Sequence, residues 1–113
     1  MKSLGLKGED IAADYLRRKG CNILRRNYRT PVGEADIIMK DKDVLVFVEV
    51  KARNTERYGQ PFESVDFRKQ EKLRKVALYY LKRNRVESPV RFDVVSILSR
   101  GGKTEVNHIK EAF

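Results

Sequence analysis

The sequence predicts an α/β domain in which a mixed central β-sheet is flanked by helices, with elements in the order α-β-β-β-α-β-β. Two observations carry that prediction. Gly33–Lys40 and Val44–Lys51 are apolar runs separated by the polar Asp41-Lys42-Asp43, the signature of a β-hairpin. A basic amphipathic helix over Phe67–Arg83 then lies between the second run and another strand-like run, Val90–Leu98. A helix between two strands of one sheet is a crossover, which makes those strands parallel and the connection right-handed. The hairpin is antiparallel, so the sheet is mixed. A length of 113 residues suits one domain, residues 1–113, with a modest single core.

The first element is a helix over Leu4–Lys19. Leu6, Ile11, Ala12, Tyr15 and Leu16 fall mostly on one stripe, Ser3 is a candidate cap and Gly20 a stop. Gly5 and Gly8 weaken its first turn. Asn22–Arg29 is the first strand, with Ile23 and Leu24 near its centre. Thr30-Pro31-Val32-Gly33 is a loop in which Gly33 permits close backbone approach. In the hairpin that follows, the second run is apolar on both faces before the charges Glu49 and Lys51 at its end, so burial on both faces is expected. Ala52–Pro61 is a polar linker, long for a compact domain, either a plain connection or a carrier of binding residues. In the long helix Leu73, Val76, Ala77, Tyr80 and Leu81 follow the i, i+3, i+4, i+7, i+8 pattern. Asp66 or Ser64 caps it, and Ser88-Pro89 breaks the pattern. Phe92, Val94, Ser96 and Leu98 share one face of the next strand, Ser99–Lys103 is a turn, and Thr104–Ile109 is the last strand.

Lys and Arg number 25 against 16 Asp and Glu, a formal net charge of +9. Such an excess suits a polyanionic partner, nucleic acid before an anionic membrane surface; a merely soluble basic protein is the plainer reading. No apolar run reaches the roughly 18–20 residues of a membrane span. Gly8, Glu9 and Asp10 interrupt the start of the chain where a signal peptide would be apolar. Cys21 is the one cysteine, so there is no internal disulfide framework, and a reducing, cytoplasmic setting is expected. With one Cys and one His, a Cys/His zinc site is excluded. Ser/His/Asp catalysis would depend on His108, which reads as a surface or edge histidine, and Cys21 reads as a small buried residue.

What remains is Asp36, Glu49 and Lys51. Side chains alternate along a strand, so Glu49 and Lys51 share a face. A two-residue loop at Lys42-Asp43 sets Asp36 opposite Glu49, with Cβ atoms about 4.5–5.5 Å apart. A one-residue slip would send the two carboxylates to opposite faces. Facing carboxylates repel, and a divalent cation with oxygen ligands, Mg²⁺ or Mn²⁺, relieves them; the backbone carbonyl of Val50 is a third donor. Such a D…E-x-K array can hydrolyse a phosphodiester, with the ion acidifying a water and Lys51 orienting it or stabilising the charge of the transition state. The alternative is an Asp–Lys–Glu ion pair at a strand end, since E-x-K by itself is common. Glu9 is either a solvated acid or one aimed at the sheet edge. Gln70, in the first turns of the long helix, can reach the sheet face. The cations placed for phosphate contact are Arg25, Arg26, Arg29, Arg53, Lys69 and Lys72.

The blocks Gly33-Glu34-Ala35-Asp36-Ile37-Ile38 and Val46-Phe47-Val48-Glu49-Val50-Lys51-Ala52-Arg53 resemble the hallmark motifs of the YraN family. The resemblance spans nearly the whole chain. It takes in Gly8-Glu9, Tyr15-Leu16, Arg26-Asn27-Tyr28-Arg29, Lys69 with Leu73, Arg91-Phe92-Asp93-Val94-Val95 and Ala112-Phe113. It departs at Ala35, where the family usually has an aliphatic residue, a matter of packing. That family is similar to the restriction-endonuclease-like D…E-x-K nucleases, nearest in kind to archaeal Holliday junction resolvases. The resemblance implies a restriction-endonuclease-like fold. It also implies Asp36 and Glu49 as metal ligands, Lys51 as the catalytic lysine, Glu9 as a helix-borne acid near the metal, and Gln70 as an added polar group. It further implies a Mg²⁺-dependent endonuclease on branched or damaged DNA, in repair or recombination, and a homodimer with two sites. A nucleic-acid-binding module of the same fold without activity is the competing expectation. A basic interaction protein whose acids are only structural is the third.

Overall fold

The computed structural model describes residues 4–53 and 65–113, with side chains from residue 8 onward. Its elements are α1 (Leu4–Arg18), β1 (Asn22–Thr30), β2 (Gly33–Asp41), β3 (Val44–Arg53), α2 (Phe67–Asn84), β4 (Val90–Arg100) and β5 (Lys103–Ile109). The five strands form one sheet in chain order. β3 and β4 are parallel, and every other neighbouring pair is antiparallel. This is the mixed sheet and element order expected of a restriction-endonuclease-like domain. Ser3 and Ser64, considered as caps, lie outside the described residues, as do residues 54–61 of the expected linker. Its first two residues, Ala52 and Arg53, belong to β3, where they pair with Ile97 and Leu98. Among the described residues no helix is long and apolar enough to cross a membrane.

The helices cover opposite faces. Ala12, Ala13 and Leu16 of α1 pack on Ile37, Met39, Val46, Val48, Val95 and Ile97. Leu73, Val76, Ala77 and Tyr80 of α2 pack on Ile38, Leu45 and Phe47. Alternate residues of β3 therefore serve the two cores, which is why the run is apolar on both faces. Burying each such side chain contributes about 1.5–3 kcal/mol. The Asp66 side chain accepts the Lys69 N–H at 2.9 Å and caps α2. The helix ends before Ser88-Pro89: Arg85 turns left-handed at φ 50°, and its N–H and that of Val86 fold back onto the Lys82 and Leu81 carbonyls.

Lys42, at φ 56°, makes the two-residue turn between β2 and β3. The resulting ladder runs from Asp41–Val44 to Ile37–Val48, the register that carries Asp36 towards Glu49. On β4, where Asp93 pairs with Val48, a second polar group is fully tied. Asp93, completely buried, accepts from Arg91 at 2.9 Å and the Glu111 N–H at 3.1 Å, and lies 2.7 Å from His108 Nε2. Arg91 also reaches Asp41 at 2.9 Å. His108 is thus on an edge strand, as expected, but its side chain is buried rather than at the surface. Hydrogen bonds from two basic side chains hold a carboxylate in the core that would be costly alone.

Gly8 sets the height of α1. A Cβ built there would lie 2.8 Å from Ala52 Cβ, closer than side chains tolerate. An alanine would gain up to about 1 kcal/mol of helix propensity but would force α1 off β3, at about 1–3 kcal/mol for overpacking. Gly8→Ala is therefore expected to lower stability in a chemical-denaturation curve, and Ala52→Gly in the same chain to recover part of the loss. An unchanged or raised midpoint for Gly8→Ala would show that α1 is not held at contact distance.

Candidate active site

The site forms where β1 and β2 turn over together. Arg26 pairs with Ile37 and Tyr28 with Ala35, so Asn27 stands across from Asp36. Arg26 and Ile37 face α1, where Arg26 reaches Asp10 at 2.6 Å and Ile37 joins the α1 core. Tyr28 and Ala35 face α2 instead. In regular strands residues two apart share a face, so both alternations are broken at the Asn27–Asp36 step. Asn27 absorbs the break in the left-handed region, at φ 51°, a conformation that asparagine tolerates better than most residues.

Asp36 thereby comes to the edge of the β2–β3 ladder. Its carboxylate accepts the Val50 N–H at 2.7 Å, a side chain bonding the strand beyond the last paired residues. Glu9 of α1, Asp36, Glu49, Val50 and Lys51 line an open cleft of about 360 Å³. Burial, and then the neighbouring Asp36 carboxylate, pushes the Glu49 carboxyl up to about 7. Burial also raises Asp36, against the pull of the Val50 N–H, and raises Glu9, with Asp36 adding to it and Arg26 and Asn27 opposing. Lys51 is lowered, by burial first and by Lys69 next. The Lys69 ammonium lies 3.8 Å from Glu49 Oε1, an ion pair at the rim of the cleft.

The donor set suits a hard divalent cation. Among the described residues no three His, Cys, Asp or Glu side chains close on one point, so an all-protein cage does not form. Mg²⁺ does not need one: it is held by one or two carboxylates and keeps waters or phosphate oxygens. Asp36 and Glu49 could supply such carboxylates, and the buried Glu9 Oε1, which has no hydrogen-bond partner, is an acceptor left over beside them. Buried polar atoms in that state are rare without a ligand or water to meet them.

The remaining candidates are distributed unevenly. Lys69 and Arg53 line the cleft, and Lys72 and Arg29 line an adjoining recess. Arg25 is exposed on β1, and Arg26 is engaged with Asp10 of α1 and does not line the cleft. Gln70 does not line the cleft: its amide donates to the Val65 carbonyl at 3.0 Å, at the start of α2. Two contributors carried no assigned role in the sequence. Asn27 stands across from Asp36 and opposes the upward shift of the Glu9 carboxyl, and its signal was an asparagine, a poor strand former, within a strand. Gly8 brings Glu9 down to the sheet, and its signal was a glycine inside a helix.

The chain matches the profile of the uncharacterised protein family UPF0102 over residues 8–97. It is 48% identical over 110 residues to a UPF0102 protein of Thermodesulfovibrio yellowstonii, covering 97% of this chain and 95% of that one. It is 50% identical over 113 residues to one from Syntrophomonas wolfei, covering 99% and 98%. A third, from Syntrophotalea carbinolica, is 49% identical over 112 residues, covering 98% and 91%. The chain therefore belongs to the uncharacterised protein family UPF0102, the YraN family that its motifs resemble.

Proposed function

We propose that this protein is a metal-dependent endonuclease that hydrolyses phosphodiesters in branched or otherwise non-standard DNA, as repair or recombination requires. The observation that carries the reading is the cleft in which Asp36, Glu49 and Lys51 meet at the end of the β2–β3 ladder beside the unpartnered Glu9 Oε1. Asp36, Glu49 and the Val50 carbonyl are the donors for Mg²⁺ or Mn²⁺. When bound, the ion supplies charge neutralisation at phosphate and a water of lowered pKa. Lys51, beside Glu49 on the same strand face, is the group that orients the attacking water and stabilises the added negative charge. In the reaction the water oxygen bonds to phosphorus and gives up a proton to solvent, the ester P–O bond breaks, and the leaving oxygen takes a proton from solvent. Lys69, Lys72, Arg29 and Arg53 surround the acids with the cations that a phosphate backbone requires.

One observation favours a second reading, a DNA-binding module without activity. Lys69 already gives Glu49 a counter-ion, so the acids have some compensation without a metal. The two readings separate in a panel of duplex, single-stranded, flapped and four-way-junction DNAs with Mg²⁺ or Mn²⁺. Cleavage of at least one branched substrate is expected. Binding is expected to rest on phosphate contacts, so the logarithm of affinity falls linearly with the logarithm of salt concentration. Tight binding with no cleavage anywhere in the panel would establish the binding module, and no binding at low salt would remove both readings.

A further inference from the structure

Beside the acid cleft lies a larger recess of about 660 Å³, between the β1–β2 hairpin and the first turns of α2. It shares Asp36, Glu49 and Lys69 with the cleft, so the two are continuous. The hydrolytic chemistry assigned above leaves this space unused. Resting on that reading, we propose that the recess takes one unpaired nucleotide, adjoining the phosphate held at the acids, and so selects DNA that is locally single-stranded.

The recess has the mixed chemistry of a nucleotide. Val32, 41% exposed at the hairpin tip, offers apolar surface to a base, and Leu73, a core residue of α2, closes the recess behind it. Arg29 and Lys72 stand around them as partners for the flanking phosphates. Glu34, the acid among them, is already drawn to Arg29 at 3.6 Å. The volume lies within the roughly 300–1,000 Å³ of small-molecule sites.

The hairpin wall is held in place before any ligand arrives. Thr30 Oγ1 donates to the Gly33 carbonyl at 2.8 Å and accepts the Val32 N–H at 3.1 Å. Gly33, at φ 147°, lies so close to α2 that a Cβ would be 3.2 Å from Val76 Cγ2. The tip therefore presents Pro31 and Val32 as a fixed apolar point. A base inside a duplex has both faces stacked and its edge paired, and must be pulled out to reach such a wall. An unpaired base has least to lose. The recess accordingly discriminates by DNA structure and not by base sequence.

The test compares two oligonucleotides, a fully paired duplex and the same duplex carrying one unpaired 2-aminopurine nucleotide. Binding is followed by anisotropy and by 2-aminopurine emission, with Ca²⁺ replacing Mg²⁺ so that binding is read apart from turnover. Wild type is expected to bind the second DNA about tenfold more tightly, with emission rising as the base leaves the stack. Val32→Asp is expected to lose most of that preference and of the emission change, and because the added charge weakens binding to both DNAs alike, the preference is read as the ratio of the two affinities. Its melting temperature serves as the folding control, because Val32 is a half-exposed tip residue. Equal affinity of wild type for the two DNAs, or a preference that survives Val32→Asp, overturns the nucleotide recess while leaving the nuclease reading standing. Failure of wild type to bind either DNA overturns the recess and the reading beneath it together.

Discussion

Lys51→Ala is expected to reduce DNA cleavage by at least about a hundredfold, the scale seen when one preorganised transition-state donor is removed. The same substitution is expected to leave the rise in melting temperature with added Mg²⁺ nearly intact. The two effects part because Lys51 lies next to the proposed ligands without being one of them. Glu49 and Lys51 project from one face of β3, and Lys51 lines the cleft with both acids. Its ammonium is pushed down in pKa by burial and by Lys69, so removing it relieves a partly desolvated charge and is not expected to unfold the chain. An interaction made chiefly in the transition state lowers turnover more than affinity. DNA affinity falls only modestly, since Lys51 is one of 25 basic residues. Lys51→Ala cleaving as fast as wild type at saturating metal would leave the acids as a strand-end ion cluster and nothing more.

The architecture was legible because its strongest elements repeat one pattern over many residues. The apolar Val44–Val48 run reads as a strand with cores on both sides, and the structure divides its residues between the α1 and α2 clusters. The Lys42-Asp43 turn fixed a register, and that register brings Asp36 towards Glu49. Other features escaped because they depend on tertiary contact. A glycine in a helix has a cost in local propensity, and only the approach of Ala52 shows what Gly8 permits. The turnover of β1 and β2 at Asn27 and Asp36 involves two strands at once, so no single periodicity contains it. His108 sits in a polar edge strand, and nothing near it in sequence reveals that Asp93, on the next strand, draws it inward. Gln70 was within reach of the sheet by helical spacing, but the nearer Val65 carbonyl takes its amide.

The metal-free protein is expected to lose stability as pH rises from about 4.5 to about 7, and saturating Mg²⁺ to abolish that loss. Burial, with Asp36 beside it, raises the folded-state pKa of Glu49 from 4.5 to about 7. In that window the folded chain retains a proton that the unfolded chain has released, so stability falls with rising pH and levels off above the folded value. For a mostly buried carboxyl the loss is on the order of 2–3 kcal/mol. Asp36 and Glu9, also raised, act in the same direction. Asp41 is held low by its hydrogen bond from Arg91, and Asp93 by those from His108 and Arg91 despite its burial. Their contribution runs the opposite way and is lost only as pH falls below the ordinary carboxylate range, so the two effects are separable in one titration. A divalent cation competes with the proton for the same oxygens and stabilises the folded state in proportion to its occupancy. Glu49→Gln cannot ionise. It is therefore expected to show a shallower decline without metal and little gain with it, measured as denaturant midpoints between about pH 5 and pH 7.5 with and without Mg²⁺. A Glu49→Gln chain whose stability falls as steeply as wild type, or which gains as much from Mg²⁺, would place both the titration and the cation somewhere other than this cleft.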